Sequence, residues 1–367
     1  MALAALKSEG LAFAYFGQAL KQMVFDPIVR ARTTFITFCT GFIRVASNEL
    51  LTSSQCKTCE EVVEERCGKG NFTGLKGKVA IITGASNGLG LENARCLMKY
   101  GCHVIWAVRS PDKAESALKK LEKEGKFEGK STILKIELSD LTSIKPFVES
   151  FLSLKLPLHY LICNAGIMSP PEWAPSKQGF ESMFATNNLS HFLLTELLLP
   201  KLKETAKVSE VRVVILSSLA GASCHSIDPA KLPCPKEEYD EMAEYAVSKA
   251  VDCLHARHIQ KHLGNSNIVA CAVHPGIIET GLGAGNVGIT TLLYGSVTMS
   301  AFRKPVPKGA ATTLYCTLSP DITQHAKAGS FFYYNCRPQH GPNVLSAGDD
   351  LVDAVHARQL ELVKPYM

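Results

Sequence analysis

Residues 78–90, Lys-Val-Ala-Ile-Ile-Thr-Gly-Ala-Ser-Asn-Gly-Leu-Gly, constrain this chain more than any other stretch. Val79 to Ile82 form a short apolar run that reads as a buried strand, and the glycines after it mark a turn into a helix starting near Gly88. In that layout backbone N–H groups and the positive end of a helix dipole face one point, which suits an anion, most often the pyrophosphate of a dinucleotide. Gly84 lets the chain leave the strand sharply, Gly88 lets the backbone come close to a phosphate, and Gly90 lets the helix pack on the sheet. The spacing Thr-Gly-x-x-x-Gly-x-Gly differs from the commoner Gly-x-Gly-x-x-Gly, so the rest of the chain has to decide the matter.

From residue 78 onward strand-like and helix-like segments alternate. Further strands are expected over 102–108, 132–136, 158–163, 211–217 and 268–274. Between them helices are expected to 100, over 111–124 and 142–154, through a long region ending near 204, and over 242–262. Near-continuous apolar strands separated by helices indicate a Rossmann-type, doubly wound parallel α/β sheet of about seven strands with helices on both faces. An N-terminal helical extension (1–70) precedes this domain (71–345), and a helical tail (346–367) follows it.

Lys and Arg total 39 against 34 acids, dispersed and without a basic stripe, so nucleic acid is not indicated. The 13 cysteines sit mostly in apolar segments, which suits a reducing compartment. Cys56, Cys59 and Cys67 form the one dense group, but no second pair or His-x-x-x-His follows nearby and no metal site is expected. Apolar runs over 11–20 and 33–43 are too short to span a bilayer. Residues 1–70 read as an interfacial anchor, a mitochondrial presequence or a packed helical extension. The chain is therefore expected inside the cell, in the cytoplasm or peripheral on an organelle membrane such as the endoplasmic reticulum or mitochondrion.

Arg109 ends the second strand about twenty residues beyond the glycine turn, where an NAD-binding protein usually places an acid for the ribose 2′-hydroxyl. An arginine there suits a 2′-phosphate, so NADP(H) is expected over NAD(H). Tyr245 and Lys249, four apart, share a helix face. A nearby ammonium and an oxidised nicotinamide would bring a phenol's pKa toward the working range. Ser217 and Ser218 close the fifth strand and Asn164-Ala165-Gly166 closes the fourth, at the carboxyl edge where the glycine turn also sits, while Asn187 lies in the helix between.

These residues, with His274-Pro275-Gly276 and Thr280, occur in an order that resembles the short-chain dehydrogenase/reductase family over about residues 75 to 340. Within it the chain is most similar to the retinol dehydrogenase-like branch, and in particular to the oxidoreductase domain of WW-domain-containing oxidoreductases, though no WW module is recognisable. The resemblance implies that Tyr245 is the acid/base and that Lys249 lowers its pKa and holds the nicotinamide ribose. Ser218 would orient the substrate oxygen, and Asn187 would hold a water of the proton relay. Gly84, Ser86, Asn87, Gly88, Leu89 and Gly90 would hold the cofactor's phosphates, with Asn164, Ala165 and Gly166 alongside. Glu137 and Leu138 would meet the adenine, and Pro275, Gly276, Ile278 and Thr280 the nicotinamide end. Two departures stand out: Ser190 replaces a frequent glycine, and Glu137 replaces the usual Asp.

The apolar stretch 276–307 is expected to close a pocket over a lipophilic alcohol or carbonyl, and the polar insertion 223–241 to border it. The expected activity is hydride transfer between NADP(H) and a retinoid, steroid or fatty aldehyde/ketone. A cofactor-binding regulatory or scaffolding protein is the alternative. Family members pair through the long helices after the fourth and fifth strands, whereas membrane-bound relatives need not, so a homodimer and peripheral membrane contact both stay open expectations.

Overall fold

The computed structural model describes residues 56–168, 170, 172–264, 266–278, 303–339 and 348–367. Most of the N-terminal extension, Thr280, and most of 276–307 lie outside the described residues.

The sheet runs β3 (Ser131–Lys135), β2 (His103–Val108), β1 (Val79–Thr83), β4 (Tyr160–Cys163), β5 (Val211–Leu216), β6 (Ile268–His274), β7 (Phe332–Tyr334), β8 (Arg337–Pro338). Strands β1 to β7 are parallel and β8 closes one edge antiparallel. Side chains alternate across a strand, so each strand feeds two apolar layers. Ile81, Leu161, Val213 and Ala270 face the layer built by α4 (Ile144–Ser153), α6 (Ser190–Ala206), α7 (Glu241–Leu263) and α10 (Asp349–Val363). Ile82, Ile162, Val214 and Cys271 face the other, built by α1 (Cys59–Cys67), α2 (Gly88–Lys99), α8 (Val306–Leu318) and α9 (Asp321–Lys327). Burial on both faces explains why the strands read as unbroken apolar runs.

Helix α1 falls within the expected extension but docks on α2 and α8. Thr58 and Glu61 close a capping box at its start, and Glu60 pairs with Arg95 and Lys99 of α2. Cys59, Val62 and Val63 are buried beneath it. No helix among the described residues is long and apolar enough to cross a membrane.

Two expected helices are broken in the structure. Asp140 caps a 3₁₀ turn (Leu141–Ser143) before α4 begins. The long region after β4 starts as α5 (Ser182–Phe184), widens into a π-helical turn (Ala185–Leu189), then continues as α6. Such a bulge inserts one residue and is frequent at functional sites. Ser190 fits without displacing its neighbours because its hydroxyl turns back to donate to Thr186 O at 2.8 Å.

Candidate active site

β1 and β4 are neighbours although α2, β2, α3 (Pro111–Glu124), β3 and α4 separate them in sequence. The strand order reverses between them, and in such sheets ligands bind in the crevice that opens at the carboxyl ends. Gly84 and Gly88 have φ of 68° and 54°, a region where a side chain is strained. Asn87 caps α2 by accepting from Gly88 N at 2.8 Å. A Cβ on Gly90 would lie 2.4 Å from Gly84 O and 2.5 Å from Asn164 Nδ2. Glycine is therefore required there for α2 to reach the turn.

Thr83 ties this turn to the next strand. Its hydroxyl accepts from Asn164 N (2.9 Å) and Ala165 N (3.0 Å), and a threonine hydroxyl has only two lone pairs and one proton. The proton must go to His191 Nε2, 2.9 Å away. His191 Nδ1 therefore carries its own hydrogen and donates to Asn187 O at 3.0 Å. Burial holds this imidazole neutral, at about 4, with Lys249 lowering it further. Its tautomer follows from hydrogen-bond capacity alone.

Asn187 sits in the π turn. Its side chain clasps the backbone of Ile167 in both directions, at 2.9 and 3.0 Å, and also donates to Ser248 Oγ at 3.3 Å. Gly166 lies beside it: a Cβ there would meet Asn187 Oδ1 at 3.2 Å and Lys249 Nζ at 3.9 Å.

Ser218, just past β5, accepts from Ala220 N through its hydroxyl at 3.1 Å. Tyr245 and Lys249 lie on α7, both buried, with the ammonium 5.9 Å from the phenol's ring centre. Lys249 Nζ donates to Leu216 O and to Asp252 Oδ2, each at 2.9 Å. Asn188 Nδ2 completes the cluster, donating to Asp252 Oδ1 at 2.7 Å and to Ser248 O at 2.8 Å. Burial lifts Asp252 to about 6 against the lowering pull of Lys249 and Asn188.

The sequence pattern points to a tyrosine lowered by Lys249 together with an oxidised nicotinamide. In the structure burial pushes the Tyr245 phenol up to about 12, Ser218 opposes this and Asp252 adds to it. Lowering the phenol needs further positive charge, which an oxidised nicotinamide would bring.

On the far side of β1, Arg109 ends β2 with its side chain 78% exposed, 3.9 Å from Glu137. Glu137 itself accepts from Ser139 N at 3.2 Å and Ser139 Oγ at 2.8 Å, with Leu138 buried beside it. Pro275 and Gly276 (φ 100°) follow β6, and Ile278 pairs with Lys304. Gly309 on α8 was not singled out from sequence. A Cβ there would lie 2.3 Å from Ile278 Cδ1 and 3.0 Å from Leu89 Cδ2, so this glycine lets α8 reach both cofactor-side loops. Asn188, His191 and Asp252 were also missed as site residues. Only Asp252 had a local signal, standing three residues after Lys249 on the same helix face. The cysteines regroup as well: Cys59 Sγ lies 2.9 Å from Cys96 Sγ and 3.0 Å from Glu92 Oε1, rather than with Cys56 and Cys67.

The crevice fits a dinucleotide: two glycines in the left-handed region at a helix start, an Asn164 Oδ1 that is buried and unpartnered, and an exposed arginine at the next strand end. A buried Tyr–Lys pair with a half-buried serine beside such a crevice defines a nicotinamide-dependent oxidoreductase. Residues 78–230 match the short chain dehydrogenase family profile. Short-chain dehydrogenase TIC 32 B, chloroplastic, of Brassica napus is 40% identical over 253 residues, covering 66% of this chain and 76% of that protein. Mouse retinol dehydrogenase 12 is 38% identical over 250 residues, 68% of this chain and 75% of that one. The WW domain-containing oxidoreductase of Danio rerio is 33% identical over 268 residues, 71% of this chain but 63% of its own length. The chain belongs to the short-chain dehydrogenase/reductase family, as the order of its motifs implied.

Proposed function

We propose that this enzyme moves hydride between NADP(H) and the carbon of a lipophilic alcohol/carbonyl pair, a retinoid, steroid or fatty aldehyde/ketone, with Tyr245 as the acid/base. The observation that carries the reading is the burial of Tyr245 and Lys249 on one helix, with the ammonium 5.9 Å from the phenol's ring centre and paired with Asp252. Bound nicotinamide supplies or accepts the hydride. Tyr245 gives its phenolic proton to the substrate oxygen in reduction and takes it back in oxidation, while Ser218 holds that oxygen. Asn187, fixed by Ile167 and Ser248, keeps the π turn in register beside them.

An apolar substrate is supported by what adjoins the phenol: Met168, Met183, Ile167 and Ala220 pack with Tyr245. The likeness to a retinol dehydrogenase agrees with it. The polar insertion lies over the same edge, since Tyr239 donates to Pro170 O at 2.7 Å. Preference for NADP(H) is supported by Arg109, whose guanidinium is exposed and, among the described residues, makes a long contact with Glu137.

The test is turnover of purified protein with NADPH or NADH on retinal, steroid ketones and medium-chain aldehydes. NADPH is expected to be used preferentially, and Arg109→Glu to erase that preference by about tenfold or more, or ~1.4 kcal/mol. Equal use of the two cofactors by the unaltered enzyme would sink the NADP(H) assignment. Tight cofactor binding with no turnover of any substrate would favour a regulatory role instead.

A further inference from the structure

Away from the crevice, the distal half of α7 meets α10 through a cluster that the oxidoreductase chemistry does not use. His258 and His262, four apart, lie on one face of α7, with ring centres 4.3 Å apart. Asp353 of α10 places one oxygen, Oδ1, 3.3 Å from His258 Nδ1 and 3.3 Å from His262 Nε2. Lys261 takes the other oxygen at 2.9 Å, which keeps Oδ1 turned toward the imidazoles. His356, one helical turn beyond Asp353, stacks on His258 with ring centres 3.6 Å apart and fixes its plane.

We propose that His258, His262 and Asp353 form a binding site for a divalent transition-metal ion of zinc-like preference, held between α7 and α10.

An ordinary surface ion pair accounts for only part of this geometry. His262 Nε2 is aligned for a hydrogen bond to Asp353. His258 Nδ1 stands equally close to the same oxygen, yet it is buried and makes no hydrogen bond. A buried ring nitrogen that faces a carboxylate oxygen without a hydrogen bond calls for an explanation, and an ion held between the two supplies one. The three ligand atoms all lie within 4.8 Å of one another. Zinc–nitrogen and zinc–carboxylate bonds of about 2.0 to 2.1 Å set tetrahedral edges near ~3.3 Å, the spacing seen on two sides here. The fourth position of a tetrahedral site is left to water. An ion there would clamp α10 to the helix that carries Tyr245 and Lys249.

The experiment is a cobalt(II) titration of the full chain after chelator treatment, read by visible absorbance and reversed by zinc. Expected are one cobalt per chain, ligand-field bands without thiolate charge transfer, and at least tenfold weaker binding in both His262→Gln and Asp353→Asn. Both substitutions lie at solvent-exposed positions, and thermal unfolding without metal checks that each variant folds. Zinc should raise the midpoint of the unaltered protein and not that of the variants. Absence of binding would overturn the proposal. So would binding with thiolate charge transfer that survives both substitutions, since that places the ion at Cys59, Glu92 and Cys96.

Discussion

The two halves of α7 both bury polar side chains, and they settle them in opposite ways. In the first half nearly every group is answered: Lys249 by Leu216 O and Asp252, Asp252 by Lys249 and Asn188, Ser248 by Tyr245 O and Asn187. In the second half His255 Nε2 and His258 Nδ1 are buried without hydrogen bonds. Charge survives burial only where it is paired, so the first half keeps an ion pair while His255 of the second is driven neutral. His255 is held at about 3 by burial, helped by His356, His258 and His191. The first half is thus organised for proton chemistry and the second for packing or for an ion.

Substitutions should separate the halves. Tyr245→Phe keeps the ring and removes the transferable proton; turnover should fall about 10²- to 10⁴-fold while the unfolding midpoint moves little, measured by steady-state kinetics and thermal melts. A variant with normal turnover would break the comparison at its strongest point. Asn188→Ala strips two donors from Asp252 and Ser248 O, and should cost roughly 2 to 3 kcal/mol in chemical denaturation.

The opposite sign is expected one helical turn on. His255→Phe replaces an unpartnered imidazole that already packs on Phe192, with ring centres 5.2 Å apart, and should stabilise by about 1 kcal/mol. It should also resist acid better. A histidine titrating at 6.5 when unfolded and about 3 when folded leaves the unfolded chain with more bound protons between those values. Stability is then lost as pH falls from 6.5 toward 3, and the phenylalanine variant, having no such group, should unfold at lower pH. Destabilisation by this change would mean that His255 has a role beyond packing.

The smallest effect sharpens the comparison most. The Asp252 carboxylate raises the Tyr245 phenol, so Asp252→Asn should move the alkaline rise of alcohol oxidation to lower pH, by under about one unit. An unmoved profile would show that Asp252 only fills space.

What could be read in advance follows the range of the interaction. Buried parallel strands announce themselves locally, and the limits of α3 and β6 agree with their apolar and charged runs residue for residue. The glycine turn and the Tyr245–Lys249 spacing are equally local. Asn188 meeting Asp252 is not, since they are 64 positions apart, nor is His262 meeting Asp353 across 91. The π turn escaped because nothing in the local sequence of Ala185–Leu189 marks one additional residue per turn; that is set by what Asn187 and His191 must reach.

The placement of β1 also has a kinetic consequence. Its neighbour β4 arrives eighty residues later in the chain, since Val79 N already donates to His159 Nδ1 at the foot of the pair. The crevice therefore has no walls until a slow, non-local strand pairing has been made. A dinucleotide has nothing to grip in the unfolded or half-folded chain, so adding it should leave the folding rate almost unchanged and act by slowing escape from the native state.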